Sequence, residues 1–122
     1  MTEKEITIQG KQYPVQFDLQ TIMNWEEMND GQSIFSDKFT SMKSRVALIM
    51  SAALSADPDT KLTVETILGN KDWEAAKEII AAYNVVDSLA SVFFKLTPGE
   101  KKEAEAEAAQ QADTPEEERP KN

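Results

Sequence analysis

Apolar and polar residues alternate with a period of two at the start of the chain. Ile6 and Ile8 stand among polar neighbours, and the alternation returns after Gly10 and Lys11 at Tyr13, Val15 and Phe17. Such a pattern on both sides of a Gly-Lys pair predicts a β-hairpin with one apolar face. Gly10 suits the first turn position of a type II′ turn, which requires a positive φ. Pro14 has no N–H to donate, so its strand is expected at an edge or with that position facing outward. A lone two-stranded hairpin is marginal in water. Its apolar face is therefore expected to lie on the segments that follow.

Those segments change period. Asp18 is placed to N-cap a helix starting at Leu19, and Leu19, Ile22, Met23 and Trp25 form an apolar stripe at helical spacing. Asn29, Asp30 and Gly31 end it, with Gly31 suited to a left-handed cap. The connector over 32–40 holds Ile34, Phe35 and Phe39 and is expected to tuck onto the body. A second helix is predicted over Met42 to Ala56, where Met42, Val46, Ile49, Met50, Ala53 and Leu54 recur at three and four. Leu48 and Ala52 widen that stripe, which marks the helix as central. Asp57 and Pro58 stop it. Thr63 caps a short helix from Val64 to Leu68, closed by Gly69, and Asp72 caps the longest, from Trp73 to about Lys95. The longest helix carries two adjacent stripes. One holds Trp73, Ala76, Ile80, Tyr83, Ala90 and Phe93; the other holds Ile79, Val86, Leu89 and Leu96. The expected fold is α+β: an N-terminal β-hairpin packed on a small bundle of three to four helices.

The pattern then stops. Residues 97–122 are rich in Glu, Lys, Ala, Gln and Pro and contain no large apolar side chain. Such a composition cannot bury enough surface to offset the entropy of ordering. The expected organisation is thus a globular domain over 1–96 and a disordered acidic tail over 97–122. The formal net charge is −9. The first 96 residues hold 14 acidic and 9 basic residues, and the remainder holds 8 and 4. Both parts repel phosphate backbones and anionic bilayers, so neither nucleic acid nor membrane is expected as a partner. The longest apolar run, Val46 to Met50, is far short of the roughly 20 residues that a bilayer demands. The polar start of the chain shows no secretory signal. A cytoplasmic location is expected.

Catalytic chemistry finds little support. The chain has no cysteine and no histidine, which removes cysteine/histidine zinc sites, the thiol nucleophile and the commonest general base. Glu26 and Glu27 are adjacent on a helix and point about 100° apart, and Glu74 and Glu78 sit beside Lys77 on what reads as a solvated face. Asp57, Asp59 and Lys61 begin like a calcium loop, but Leu62 and Leu68 stand where that loop needs a glycine and a bidentate glutamate. The expectation is a binding protein with no catalytic residue, metal or cofactor. Trp25 and Trp73 lie on helical stripes and are read first as core residues. The candidate partner-binding residues are Trp25, Met28, Ile34, Phe35 and Phe39, since apolar residues in and near loops are a common interaction surface.

Residues 5–35 carry a resemblance to a known family. The opening Ile6-Thr-Ile-Gln-Gly-Lys-Gln-Tyr-Pro-Val-Gln-Phe17 is followed by a helix ending in Trp25-Glu26-Glu27, then Gly31, Ser33, Ile34 and Phe35. This resembles the tail assembly chaperones of long-tailed bacteriophages and prophages. That family often opens with a hairpin of the form isoleucine–x–isoleucine–x–Gly–Lys–x–Tyr–Pro–x–x–Phe. Its helix then closes with aromatic–Glu–Glu–x–x–x–Gly–x–Ser–aliphatic–Phe. The resemblance implies a small acidic protein that binds the tape measure protein, keeps its long apolar helices soluble and helps recruit tail tube protein. It leaves self-association open. Family members often have a longer form made by ribosomal frameshifting, and Glu100-Lys101-Lys102 could be encoded by a slippery run of adenines. The competing reading is an acidic inhibitor or antitoxin-like module that occupies a basic protein surface, although the acidic residues are spread along the whole sequence.

Overall fold

A computed structural model describes residues 3–95. The expected tail over 97–122, the domain boundary at 96 and Leu96 of the second stripe lie outside the described residues. The fold is α+β, with an antiparallel hairpin packed on four helices. Strand β1 (Glu3–Ile8) pairs with β2 (Lys11–Gln16) in the register Ile8 to Lys11, Ile6 to Tyr13 and Lys4 to Val15. Directly opposed residues share a face, so Ile6, Ile8, Tyr13 and Val15 form one apolar surface.

The turn differs from expectation. Pairing closes on Ile8 and Lys11, so the two loop residues are Gln9 and Gly10, with φ of 52° and 80°. Positive φ at both positions makes a type I′ turn in place of type II′, and its twist matches that of the strands. Gln9 is held in this left-handed conformation by long-range bonds. Its N–H donates to Glu78 Oε1 at 3.1 Å, and its Nε2 donates to the Thr66 carbonyl at 2.8 Å. Pro14 sits opposite Glu5. Counted outward from the closing pair, this is a non-hydrogen-bonded position, so the missing N–H costs no ladder bond.

Helix α1 (Leu19–Met28) starts with a reciprocal cap. Asp18 Oδ1 accepts the Thr21 N–H, and Thr21 Oγ1 accepts the Asp18 N–H, both at 3.1 Å. Thr21 thus does the work usually given to Glu or Gln at the third position. Its hydroxyl also donates to the Gln16 carbonyl, which lets this polar residue lie buried. The buried face of α1 is Thr21, Ile22 and Trp25, whereas Leu19 and Met23 are 63% and 54% exposed. The expected stripe was therefore too wide: α1 packs on one helical neighbour and buries only a narrow strip.

Helix α2 (Met42–Ala56) is central, as its wide stripe predicts. It touches α1, β2 and the last two helices, and seven of its residues are buried. Ser51 among them is satisfied by the Ala47 carbonyl at 2.7 Å. The stretch after α2 is a turn: Asp57 Oδ1 accepts the Asp59 N–H and the Asp57 carbonyl accepts the Thr60 N–H. Helix α3 (Val64–Leu68) is capped by Thr63 and closed by Gly69, and α4 (Trp73–Phe93) is capped by Asp72. The core face of α4 is Ala75, Ile79, Ala82, Val86 and Leu89. The other stripe, including Tyr83, Ala90 and Phe93, is only half-buried, and Trp73 is 68% exposed. Trp73 is thus not a core residue. It opens the stripe that faces sideways, while α4 turns its adjacent stripe inward.

The core forms where β1 meets α4 and β2 meets α2. Ile8, Val15, Trp25, Ile49, Ile67 and Val86 are wholly buried there, each worth about 1.5–3 kcal/mol for the aliphatic side chains. Among the described residues no helix is long and apolar enough to cross a membrane.

Candidate functional site

The segment that follows α1 builds one wall of an apolar groove. Asp30 and Gly31 turn the chain in left-handed conformations, and the Gly31 N–H returns to the Glu26 carbonyl at 2.8 Å. A 3-10 turn over Ile34–Ser36 follows, with the Ser33 hydroxyl accepting the Phe35 N–H. Glu26 reaches across from α1 and accepts the Ile34 N–H at 3.1 Å. Three members of the Trp25-to-Phe35 stretch therefore have a local task, and the chain direction places a fourth in the core. Glu26 and Ser33 satisfy orphan donors of the turn, Gly31 supplies the positive φ, and Ile34 is driven into the core.

Phe39 ends this wall in an unusual conformation. Its φ is 55°, which costs a bulky L-residue about 1–2 kcal/mol. Three contacts hold it. Asp37 Oδ1 accepts its N–H at 2.6 Å, Arg45 Nε donates to its carbonyl at 2.8 Å, and its ring packs 5.6 Å from Trp25 and 6.1 Å from Tyr83.

The opposite wall is the second half of α4 and the turn after it. Between the walls lies a cavity of about 400 Å³ lined by Ile34, Phe35 and Phe39 on one side and Tyr83, Ala90 and Phe94 on the other. Phe17 and Leu48 close its floor. The aromatic rings form a connected cluster: Phe35 to Phe94 at 5.8 Å, Phe94 to Phe17 at 5.8 Å and Phe17 to Phe93 at 5.4 Å. These tilted and edge-on separations are the favourable ones for aromatic pairs. A concave apolar site of this size with few polar groups is the usual form of a binding pocket.

The charged groups are Asp37, Asp87 and Lys95. Asp37 is tied down, since Phe39 N–H and Ser44 Oγ each donate to one of its oxygens. Asp87 is exposed and makes no hydrogen bond or ion pair among the described residues. Arg45 lies 5.0 Å over the Tyr83 ring, a cation–π contact. Burial pushes the Tyr83 phenol above its ordinary value, Asp87 and Asp37 push it further, and Arg45 opposes them. The phenol is therefore neutral at physiological pH and available as a hydrogen-bond donor.

The five candidate residues separate into two groups. Ile34, Phe35 and Phe39 come together in the groove. Trp25 does not reach it: its indole is 0% exposed and serves as the packing surface beneath Phe39. It has no free face to offer a partner, and its expected role as an anchor gives way to a core role. Met28 is 42% exposed at the end of α1, where its sulfur lies 3.7 Å from the Ser51 oxygen. Sequence reasoning missed Phe17, Tyr83, Asp87 and Phe94 as lining residues. One signal was present in the Phe93-Phe94 pair. Neighbouring helix residues point about 100° apart, so both cannot serve the same stripe. No family model, curated protein or solved structure matches the chain.

Proposed function

We propose that the protein is a tail assembly chaperone of a long-tailed bacteriophage or prophage, which binds the tape measure protein and assists assembly of the tail tube. One observation carries this reading. Three residues of the 5–35 resemblance meet at one place: Phe17, Ile34 and Phe35 all line an open apolar groove. An apolar groove beside a helix is the form in which proteins accept amphipathic helices, and tape measure proteins are expected to supply such helices. The chaperone works by occupancy alone. It covers apolar helical surface that would otherwise aggregate, and no residue is assigned a catalytic role. Its excess of acidic side chains keeps the complex soluble.

The test is co-expression with the tape measure protein encoded beside this gene, followed by affinity capture at low salt. The expected result is a stoichiometric complex and less insoluble tape measure protein. Clean failure to retain it, with the chaperone folded, removes the reading. A neighbouring pair of genes in which the second encodes a toxin, neutralised by this protein, would favour the acidic inhibitor instead.

A further inference from the structure

The groove is dipolar along its length. Asp87 and Lys95 both line it, and they follow each other by eight residues along α4 and its closing turn. At 1.5 Å per residue, eight residues of helix span about 12 Å, which sets the approximate axial spacing of the two backbone positions. Ala90 and Ser91 line the stretch between them, and small side chains there let a second backbone approach. The charge at the first end is net negative in its outward groups. Asp87 has no ion-pair partner among the described residues, and Asp37 lines the same groove. Arg45, whose guanidinium faces the Phe39 carbonyl and the Tyr83 ring, offsets one of these two charges and leaves an excess of one negative charge.

We propose that the groove selects an amphipathic helix of another protein that presents a Lys or Arg to Asp87 and, about two turns away, an Asp or Glu to Lys95, with apolar side chains between them filling the space lined by Phe35, Phe39 and Phe94. The inference rests on the chaperone reading only for the identity of the protein that carries this helix. Two other occupants fit less well. Residues 96–122 contain one large apolar residue, Leu96, among 8 acidic and 4 basic residues, and so could meet Asp87 but lack the apolar fill. A second copy would most readily offer α1, with its exposed Leu19 and Met23, but α1 contains no Lys or Arg.

The test uses the full chain and three Ala/Leu peptides of about 18 residues, long enough to form helix. They share an apolar face and differ at two positions eight apart, which hold Lys and Glu, Glu and Glu, or Lys and Lys. Titration calorimetry at low salt is expected to show the Lys/Glu peptide binding about two- to fivefold more tightly than either other peptide, the range for a partly exposed ion pair. Asp87→Lys transfers the preference to the Glu/Glu peptide, and Lys95→Glu transfers it to the Lys/Lys peptide. Circular dichroism confirms that each variant is folded, and either variant alone suffices. Equal affinity for all three peptides, or binding of none, overturns the proposal. So does tighter peptide binding by Leu96→Ala, which would assign the groove to the chain's own tail. Self-association that peptide reverses would assign it to a second copy and also overturn it. The tape measure protein is captured in parallel. Equal capture by wild type and Asp87→Lys, with unbiased peptides, overturns the charge rule and leaves the chaperone reading standing. Failure of the wild type to capture the tape measure protein, with the peptide preference intact, supports the charge rule and refutes that reading.

Discussion

Replacing Trp25 separates a core role from a contact role more cleanly than any other substitution in this fold. The indole is 0% exposed, its ring lies 5.6 Å from Phe39, and its Nε1–H donates to the Ser44 carbonyl over a long 3.4 Å. Trp25→Ala removes that burial and leaves a cavity between α1, α2 and the connector, a loss of about 3–5 kcal/mol. The long hydrogen bond adds little, whereas the lost ring pair lies within that range. A domain the size of the described 93 residues has a total stability of about 5–14 kcal/mol. The substitution therefore removes about a fifth of it or more. With a urea slope of roughly 1–3 kcal/mol per molar, the midpoint falls by about 2 M. Trp25→Phe keeps most of the fill and the ring pair and loses about 1 kcal/mol. Circular dichroism in urea is the assay, because the remaining tryptophan, Trp73, is already 68% exposed and its emission reports little on unfolding. A loss below about 1 kcal/mol for Trp25→Ala would refute the core assignment. Loss of binding to the proposed tape measure partner by Trp25→Phe, at unchanged stability, would refute it from the other side.

Further outcomes follow from backbone geometry and from Tyr83. Phe39→Gly is expected to be more stable than Phe39→Ala by about 1 kcal/mol in the same denaturation assay, because only glycine releases the strain at φ 55°. Gly69→Ala is expected to cost more than Gly10→Ala. Both have positive φ, but an added Cβ at Gly69 would stand 3.3 Å from Gln9 Nε2, while nothing lies within 4 Å at Gly10. The expected losses are about 2 and about 1 kcal/mol, read as thermal midpoints. The raised phenol of Tyr83 means that the unfolded chain gives up this proton first as pH rises past about 10. Its contribution is fully present below that pH and declines above it. Tyr83→Phe is expected to show a shallower alkaline fall in stability than wild type, and an identical slope would contradict the assignment.

Periodicity made the fold legible wherever an element buries one clear face. The hairpin, the caps at Asp18, Thr63 and Asp72, the stop at Asp57 and the central place of α2 were all readable from spacing and cap chemistry. The failures share a physical cause. Spacing tells which residues share a face but not how much of that face a neighbour covers, so Leu19, Met23 and Trp73 were placed inside although α1 and α4 expose them. The turn at Gln9 was misassigned because its positive φ is sustained by Thr66 and Glu78, more than fifty residues away. The groove was half legible. Ile34, Phe35 and Phe39 stood out as apolar residues in a connector, but the wall they face comes from α4, and local spacing carries no signal for that encounter.

The bond from the Gln9 N–H to Glu78 spans 69 residues, and it has a consequence for synthesis. The hairpin is made early in translation, yet the helix that covers β1 is made near the end of the described domain. At about 5–20 residues per second, the ribosome needs roughly 3–14 s to bridge that separation. Over this interval Ile6, Ile8 and Val15 have no α4 to lie against, and a bare hairpin barely holds its shape. The nascent chain thus passes through a window in which its own apolar ribbon needs shelter, and release of the polypeptide before α4 emerges would leave that ribbon free to pair with its neighbours.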